Sequence, residues 1–281
     1  MMQASIRPAT PADIPAIMHF LKLARWVTLE SSLAEVEKRI PDWPCWLLTR
    51  GEDVEAFLLV DIRRYPVAQI HTVACAGRVS LSADVSNLLA VACQYGHSAG
   101  TLPLVYIGDT SWLSGVLERY GFQQVNRVIF YEKEGQEIPS WGNLEVDTRP
   151  VNKRDIGSLV ALDEAAFESQ WRNNAPFFAD ALSAFPHFVV AVLENRIVGY
   201  QFSALYKSEG HLARLAVHPL WQRRGIGTRL LAEAIAFLQR SGARAILLNT
   251  QEDNWRAQRL YRRFGFYPTG ERLLVWQENR Q

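Results

Sequence analysis

The sequence predicts an α+β chain of two tandem domains, each a mixed, mostly antiparallel sheet flanked by helices. Three observations carry that expectation. The chain has 281 residues, which suits two ordinary domains, and 48% hydrophobic against 21% charged residues supports packed cores rather than disorder. The chain also matches itself. Residues 6–14, IRPATPADI, align with residues 148–156, TRPVNKRDI, at an offset of 142. Leu88-Leu89 and Leu230-Leu231 keep that offset, as do Gly100 and Gly242, and Tyr120-Gly121-Phe122 meets Phe264-Gly265-Phe266 at 144. A nearly constant offset marks a tandem duplication. Finally, each half places paired strands before helix-linked strands, the order of a mixed sheet with helices on its faces.

Each half then reads alike. A strand over 5–8 leads into a helix opening near Pro11-Ala12-Asp13, residue types that suit a first turn. Strands at 46–49 and 54–60 flank Gly51-Glu52-Asp53, and strands at 188–193 and 197–204 flank Glu194-Asn195-Arg196; both connections suit hairpins. A central strand, a long helix, another strand, a short helix and a closing strand complete each half. The polar run EGQEIPSWGN, residues 134–143, marks the join. The expected domains are residues 1–134 and 144–281, with 135–143 as linker. Trp141 there either packs one domain on the other or stands exposed.

Bulk properties exclude several classes. A formal net charge of +1 leaves no global footprint for nucleic acid or membrane. Arg223, Arg224, Arg229, Arg240 and Arg244 lack interleaved aromatics, so no nucleic-acid partner is expected. Cys45, Cys75 and Cys93 are odd in number and lie in apolar surroundings, so buried, reduced thiols are expected. Met1-Met2-Gln3-Ala4-Ser5 holds no apolar signal core and no apolar run reaches membrane-spanning length; a cytoplasmic setting is expected. No cluster of His, Cys and carboxylates has metal-ligand spacing, and no metal is expected.

The chemistry concentrates in residues 212–231, LARLAVHPLWQRRGIGTRLL. Arg214-Leu215-Ala216-Val217 is strand-like, and Pro219 ends it because proline cannot donate to a ladder. Gln222-Arg223-Arg224-Gly225-Ile226-Gly227 forms a basic turn, after which Leu230, Leu231, Ala234, Ile235 and Leu238 recur at helical spacing. A glycine-punctuated turn opening a helix aims free backbone N–H groups at an anion, and the helix dipole favours negative charge there. Glycines permit close approach, and arginines add charge-assisted bonds to phosphate. The turn has neither the Gly-Lys-Ser/Thr of a nucleotide P-loop nor the three glycines of a dinucleotide fingerprint. Downstream, Ala245-Ile246-Leu247-Leu248-Asn249 reads as a buried strand. Residues 254–264 read as a short helix with Asn254 as N-cap and Gly265 just past its end.

These motifs resemble the GCN5-related N-acetyltransferases (GNAT). Gln222 to Gly227 is similar to the family's Gln/Arg-x-x-Gly-x-Gly/Ala signature. Asn254-x-x-Ala257-x-x-Leu260-Tyr261-x-x-Phe264-Gly265-Phe266 is similar to its Asn-x-x-Ala-x-x-Leu-Tyr-x-x-x-Gly-Phe signature. The resemblance implies a GNAT-like sheet whose fourth and fifth strands splay to admit acetyl-CoA, the expected co-substrate. It places backbone groups of Leu215, Ala216 and Val217 along the pantetheine arm, and Gln222, Arg223, Arg224, Gly225, Ile226, Gly227 and Thr228 at the pyrophosphate. Asn254 would border the pantetheine channel, and Tyr261 would act as general acid toward the departing thiolate. Tyr261 as a plain core aromatic is the alternative. His211, or Glu209, is the candidate general base, with a structural role for His211 open. Asp163, Glu164 and Glu168 either recognise a cationic substrate or form a solvated helix face. His218 suits a surface turn, and Arg256, Arg259, Arg262 and Arg263 a solvated face or a contact to the coenzyme's 3′-phosphate.

The duplication supplies an internal control. Gln222 corresponds to Ser80, Gly225 to Ala83, Gly227 to Val85 and Tyr261 to Leu117, so the first half keeps the packing and lacks the chemistry. The implied activity is direct transfer of acetyl from acetyl-CoA to a primary amine in a ternary complex, by the second half alone. A small-molecule amine is the preferred acceptor, with a protein N-terminus or lysine as alternative. Asn249 stands where many ribosomal-protein N-terminal acetyltransferases carry Glu, which weakens that alternative. A non-catalytic acyl-CoA sensor is a further alternative, and Tyr261 argues against it.

Overall fold

The computed structural model describes residues 4–63, 67–77, 79–100 and 103–279, so Met1 to Gln3 of the start lie outside the described residues. The chain forms two compact units, Met1–Asn126 with Leu273–Gln281, and Arg127–Arg272. The units therefore do not divide at residues 135–143.

Unit 1 contains β1 (Ala4–Pro8), α1 (Ile14–Leu23), β2 (Trp26–Leu29), α2 (Leu33–Arg39), β3 (Cys45–Arg50), β4 (Asp53–Asp61), β5 (Ala68–Cys75), α3 (Leu81–Ser98), β6 (Leu104–Gly108) and α4 (Ser111–Tyr120). The strand β7 (Phe122–Lys133) begins in unit 1 and ends in unit 2. Unit 2 continues with β8 (Asp147–Pro150), α5 (Ile156–Ala166), α6 (Ala175–Ala184), β9 (His187–Leu193), β10 (Arg196–Tyr206), β11 (Glu209–Val217), α7 (Ile226–Arg240), β12 (Ala245–Gln251) and α8 (Trp255–Arg263). The last strand, β13 (Tyr267–Glu278), begins in unit 2 and ends in unit 1.

The sheet order in unit 1 is β1-β3-β4-β5-β6-β13, and in unit 2 it is β7-β12-β11-β10-β9-β8. Each unit thus takes its outer strand from the other half of the sequence. Residues 128–133 of β7 pair antiparallel with β12, and residues 274–277 of β13 pair antiparallel with β6.

The repeat seen in sequence is physical. Arg7 forks onto Asp13 and Arg149 onto Asp155, and each carboxylate also accepts the backbone N–H of the helix-capping residue, Thr10 or Asn152. This explains why Arg, Pro and Asp recur together: the pair ties the first strand to the first helix. Gly121 and Gly265 both end their helices at positive φ, 105° and 82°. Cys45, Cys75 and Cys93 are free and buried.

In unit 2 the apolar positions of α7 close over the sheet: Leu231, Ala234, Ile235 and Leu238 pack with Leu212, Ile246 and Leu248. On the other face Leu159, Leu162 and Phe178, from α5 and α6, pack with Val190, Tyr200 and Ala216. A buried polar chain crosses the α7 side. His187 Nδ1 lies 2.8 Å from Gln201 Nε2, and Ser203 Oγ donates to Gln201 Oε1 at 2.6 Å. The His187 ring stacks on Phe237 at 4.0 Å.

Burial, with Arg240 nearby, pushes the His187 pKa down to about 4 from 6.5. The unfolded chain then binds more protons between these values, so stability is fully present above pH 6.5 and falls as pH drops toward 4. Denaturant titrations should show about 1 kcal/mol lost from this residue by pH 5.5. A His187→Gln variant should lose less over the same interval.

Candidate functional site

The site begins where two strands part. β11 and β12 pair in parallel only from Glu209↔Ala245 to Leu212↔Leu248, although β11 runs on to Val217 and β12 to Gln251. At the parting, β11 carries a bulge: Phe202 faces Arg214 and Ser203 faces Leu212, leaving Ala213 as the extra, exposed residue. Past it, β11 keeps β10 on one edge through Val217↔Gly199 and has an open second edge. Alternation turns the main-chain groups of Leu215 and Val217 toward that opening, while those of Ala216 between them pair with Tyr200 on β10.

The open edge leads to the N-terminus of α7. Arg223 and Gly225 both have positive φ, 63° and 76°. A non-glycine residue there costs about 1 kcal/mol, so the loop is held by its neighbours. Gln222 Nε2 donates to the Val217 carbonyl at 3.2 Å, tying the loop to the end of β11. Asn143 donates from Nδ2 to the Arg224 carbonyl at 3.0 Å, and from its backbone N–H to the Gly225 carbonyl at 3.3 Å. In a trans peptide C=O and N–H point oppositely, so the N–H groups of Gly225 and Ile226 aim away from Asn143, toward the free end of the helix. Arg223 and Arg224 are exposed, and Arg224 lies over Trp221. Thr228 is half-buried within the first turn.

The two glycines serve different ends. A methyl group at Gly225 would stand 3.0 Å from Asn143 N, at a positive φ besides, so the fold itself requires this glycine. A methyl group at Gly227 would reach Leu260 and Val217 only at 3.6 Å and Leu215 at 3.9 Å. That is ordinary contact, so an alanine would fit without strain and the fold itself does not require this glycine.

Tyr261 sits on α8 among Tyr131, Phe266, Leu212 and Leu248, with its ring 6.1 Å from that of Tyr131. Burial, reinforced by Tyr131, pushes its pKa up to about 12. Tyr131 belongs to β7 and donates to Gln258 Oε1 at 3.2 Å. Its place beside Tyr261 could not be read from a sequence cut at residue 134. Asn254 is the N-cap of α8, its Oδ1 accepting from Ala257 N–H at 3.2 Å. His211 lies in the paired part of β11, opposite Ala204 and Leu247, with its ring 5.4 Å from Tyr206. Alternation puts His211 on the sheet face opposite Leu212, so Tyr261 and His211 belong to opposite faces. Burial lowers the His211 pKa and Glu209 partly opposes it. Glu209 itself is exposed at the strand's first residue.

One expectation needs correction, and several open alternatives find their places. Asp163 has no exposed side chain and is ion-paired to Arg214, so it cannot face a cationic substrate. Glu164 and Glu168 are not part of that pair: Glu164 is exposed, and Glu168 accepts from Gln170 Nε2. Trp141 lies against the Arg229 guanidinium of α7 and is 43% exposed. His218 does take a turn role, its Nδ1 accepting from Leu220 N–H. Arg256, Arg259, Arg262 and Arg263 are exposed, and Arg256 reaches Gln222 Oε1 at 3.5 Å. Among the described residues no group of three or more His, Cys, Asp or Glu could hold a metal, and no helix is long and apolar enough to cross a membrane.

Sequence reading missed the cluster around Arg214. Its guanidinium donates to both Asp163 oxygens at 2.7–2.9 Å, to Tyr200 Oη at 2.8 Å and to the Trp171 carbonyl at 2.7 Å. It also covers the Phe167 ring at 3.8 Å, while Asn173 N–H donates to Asp163 Oδ2 at 2.7 Å. The signal was present: an arginine inside the apolar run LARLAV must find a buried partner.

In unit 1 the same opening is filled. Among the described residues β5 pairs with β6 at Ala68↔Leu104 and Gln69↔Val105, and His71 is the bulged residue, 142 before Ala213. Beyond it, β2 pairs antiparallel with residues 72–75, the counterparts of residues 214–217. At the first turn of α3, buried Asp84 takes a forked pair from Arg50 at 2.6 Å and 3.2 Å.

Known proteins match this architecture. The model of the acetyltransferase (GNAT) family matches residues 156–266. N-alpha-acetyltransferase RimI of Mycobacterium tuberculosis is 34% identical over 148 residues, covering 48% of this chain and 89% of that protein. A tandem GNAT protein from the clavulanic acid biosynthesis pathway superposes with a TM-score of 0.64 at 13% identity, covering 99% of this chain and all (100%) of the other. A GCN5-related N-acetyltransferase from Sphaerobacter thermophilus gives a TM-score of 0.62 at 19% identity, covering 98% of this chain and 95% of the other. With the parted strands, the helix N-terminus and both signatures in one unit, the chain belongs to the GNAT acetyltransferase family and is an acetyl-CoA-dependent acyltransferase.

Proposed function

We propose that unit 2 transfers the acetyl group of acetyl-CoA directly to a primary amine, and that unit 1 binds no coenzyme. The observation that carries the reading is the parting of β11 and β12 onto the N-terminus of α7, with a glycine at 227 that the fold itself does not require. The coenzyme would supply an acyl thioester. Leu215 and Val217 would hold its arm by main-chain hydrogen bonds, in the manner of an added strand, with Ala216 between them lining its path. The N–H groups of residues 223–228, with the two exposed arginines, would hold the pyrophosphate. Asn254 would meet the arm through Nδ2, since Oδ1 already caps α8.

Tyr261 would assist thiolate departure from the face bearing α7 and α8. A pKa near 12 keeps the phenol protonated at every working pH. It also makes complete transfer to a thiolate of pKa about 8.5 uphill, so the phenol acts by donating a hydrogen bond as charge develops on sulfur. His211, on the opposite face, would take the amine proton, directly or through water, with Glu209 as the second candidate. A small-molecule amine is the preferred acceptor. The second reading, a protein N-terminus, draws on the RimI relative and is weakened by Asn249, which is exposed on β12 where a carboxylate would be wanted.

Calorimetric titration with acetyl-CoA should give one site per chain. Gly227→Trp should abolish it, and Gly227→Ala should weaken it while the free protein melts no lower than wild type, since alanine is the better helix former. Two sites per chain, or undiminished binding by Gly227→Trp, would sink the assignment.

Once an amine screen supplies an acceptor, Tyr261→Phe should lower kcat about 100-fold and leave coenzyme affinity intact. An unchanged kcat would return Tyr261 to the core.

The rate should fall with acid along a limb centred below pH 6.5, the lowered His211 value, and His211→Gln should remove that limb. Because Glu209 raises the His211 pKa, Glu209→Gln should move the limb to lower pH. Rate profiles unaltered by either change would exclude His211 as base.

A further inference from the structure

We propose that the Asp163–Arg214 ion pair, with the Trp171 carbonyl it holds, is a positioning device that keeps residues 168–171 off the open edge of β11. The proposal rests on the reading that the coenzyme arm lies along residues 215–217. Residues 168–171 are the counterpart of β2, and β2 shows what this piece of chain does when nothing holds it away.

The two halves are matched through this region. α1 and α5 begin at Ile14 and Ile156, and α2 and α6 at Leu33 and Ala175, both at an offset of 142. The intervening segments are aligned without insertion, so Trp26-Val27-Thr28-Leu29 corresponds to Glu168-Ser169-Gln170-Trp171. In unit 1 that segment is a strand, with Val73↔Thr28, Ala74↔Val27 and Cys75↔Trp26. Those partners are the counterparts of Leu215, Ala216 and Val217. In unit 2 the segment instead forms a single 3-10 turn, Ser169–Trp171. Sequence contributes: Trp, Val, Thr and Leu favour a strand, whereas Glu, Ser and Gln do not.

The clamp supplies the rest. Arg214 binds the Trp171 carbonyl at one end of the turn, Asp163 binds the Asn173 N–H just beyond it, and Arg172 Nε donates to the Phe167 carbonyl at 2.9 Å. A carbonyl and an N–H engaged by a buried ion pair are not free to enter a ladder with β11. Unit 1 has none of the three polar members. Leu21 replaces Asp163, Thr72 replaces Arg214, and Phe57, which pairs with Ala74 as Tyr200 pairs with Ala216, replaces Tyr200. The clamp and the closed edge exclude each other across the repeat. Asp163 and Arg214 act on the coenzyme only through this segment, which makes them positioning residues.

Removing one charge alone would strand its partner and risk unfolding, so both are removed together. The test uses full-length Asp163→Leu/Arg214→Met and, carrying the unit 1 residues, Asp163→Leu/Arg214→Thr. Calorimetry with acetyl-CoA should show affinity at least tenfold weaker in each. In the coenzyme-free variants, amide hydrogen exchange at Leu215 and Val217 should slow as residues 168–171 pair with them. A merely structural role would not slow it. Wild-type affinity together with unchanged exchange in the Met variant overturns the proposal, and so does lost affinity with faster exchange, the mark of general loosening. Gly227→Trp separates the two claims: if it loses coenzyme while the clamp variants bind normally, the clamp alone fails. If wild type takes up no acetyl-CoA, the functional reading fails and the clamp with it.

Discussion

Two strands that part inside a sheet leave main-chain donors and acceptors facing an opening, and buried groups of that kind must find partners. The rest of both units follows from how this constraint is met. In unit 1 the edge of β5 past the bulge is satisfied by β2, so the opening is closed from within. In unit 2 the matching edge of β11 is open to a ligand that offers alternating acceptors and donors, as an amide-containing arm does. One topology, with the same bulge position and the same strand register, therefore yields a filled sheet in one unit and an open edge in the other.

The electrostatics at the helix N-termini follow the same division. Both α3 and α7 begin beside the opening, and both would attract an anion. In α3 the chain supplies its own: Asp84 is buried in the first turn and neutralised by Arg50, so the dipole already has its counter-charge. In α7 the counterpart of Asp84 is Ile226, and Arg223 and Arg224 add positive charge to free N–H groups. A carboxylate stands at one helix start and two arginines at the other, so the two N-termini differ in the charge they offer an anion. The loop of α7 sits in a strained conformation that Gln222 and Asn143 both support.

Much of this was legible in the sequence because it rests on local chemistry. The helix start at Gly225, the N-cap at Asn254, the C-terminal glycine at 265 and the repeated Arg–Asp pair are all set by residues within a few positions of one another. Glycine alone does not announce its reason. Gly225 and Gly227 look equivalent in a motif, yet the first answers to backbone conformation and Asn143, and the second is not required by the fold at all. Long-range partners were the harder part. Asp163 reads as one more acid on a helix until Arg214, 51 residues later, is placed beneath it. β2 was missed because four residues between two helices give no period to count, and their β-forming character shows its meaning only against the counterpart in the second half.

The closing strands show where pattern reading ends in principle. Residues 120–122 and 264–266 match, and each opens a strand after a glycine-capped helix, so the sequence says that both strands exist. It does not say which sheet each joins. Antiparallel pairing is read from hydrogen bonds and apolar alternation, and β7 and β13, as products of duplication, satisfy either edge. The structure gives β12 the strand β7 and gives β6 the strand β13. One consequence reaches the chemistry. Tyr131, coded in the first half, becomes the buried neighbour of Tyr261 and contributes to the environment that keeps its phenol protonated. A cut between the two halves of the sequence would remove that neighbour and the outer strand of unit 2 together, so the second half of the sequence is not by itself the unit that holds the site.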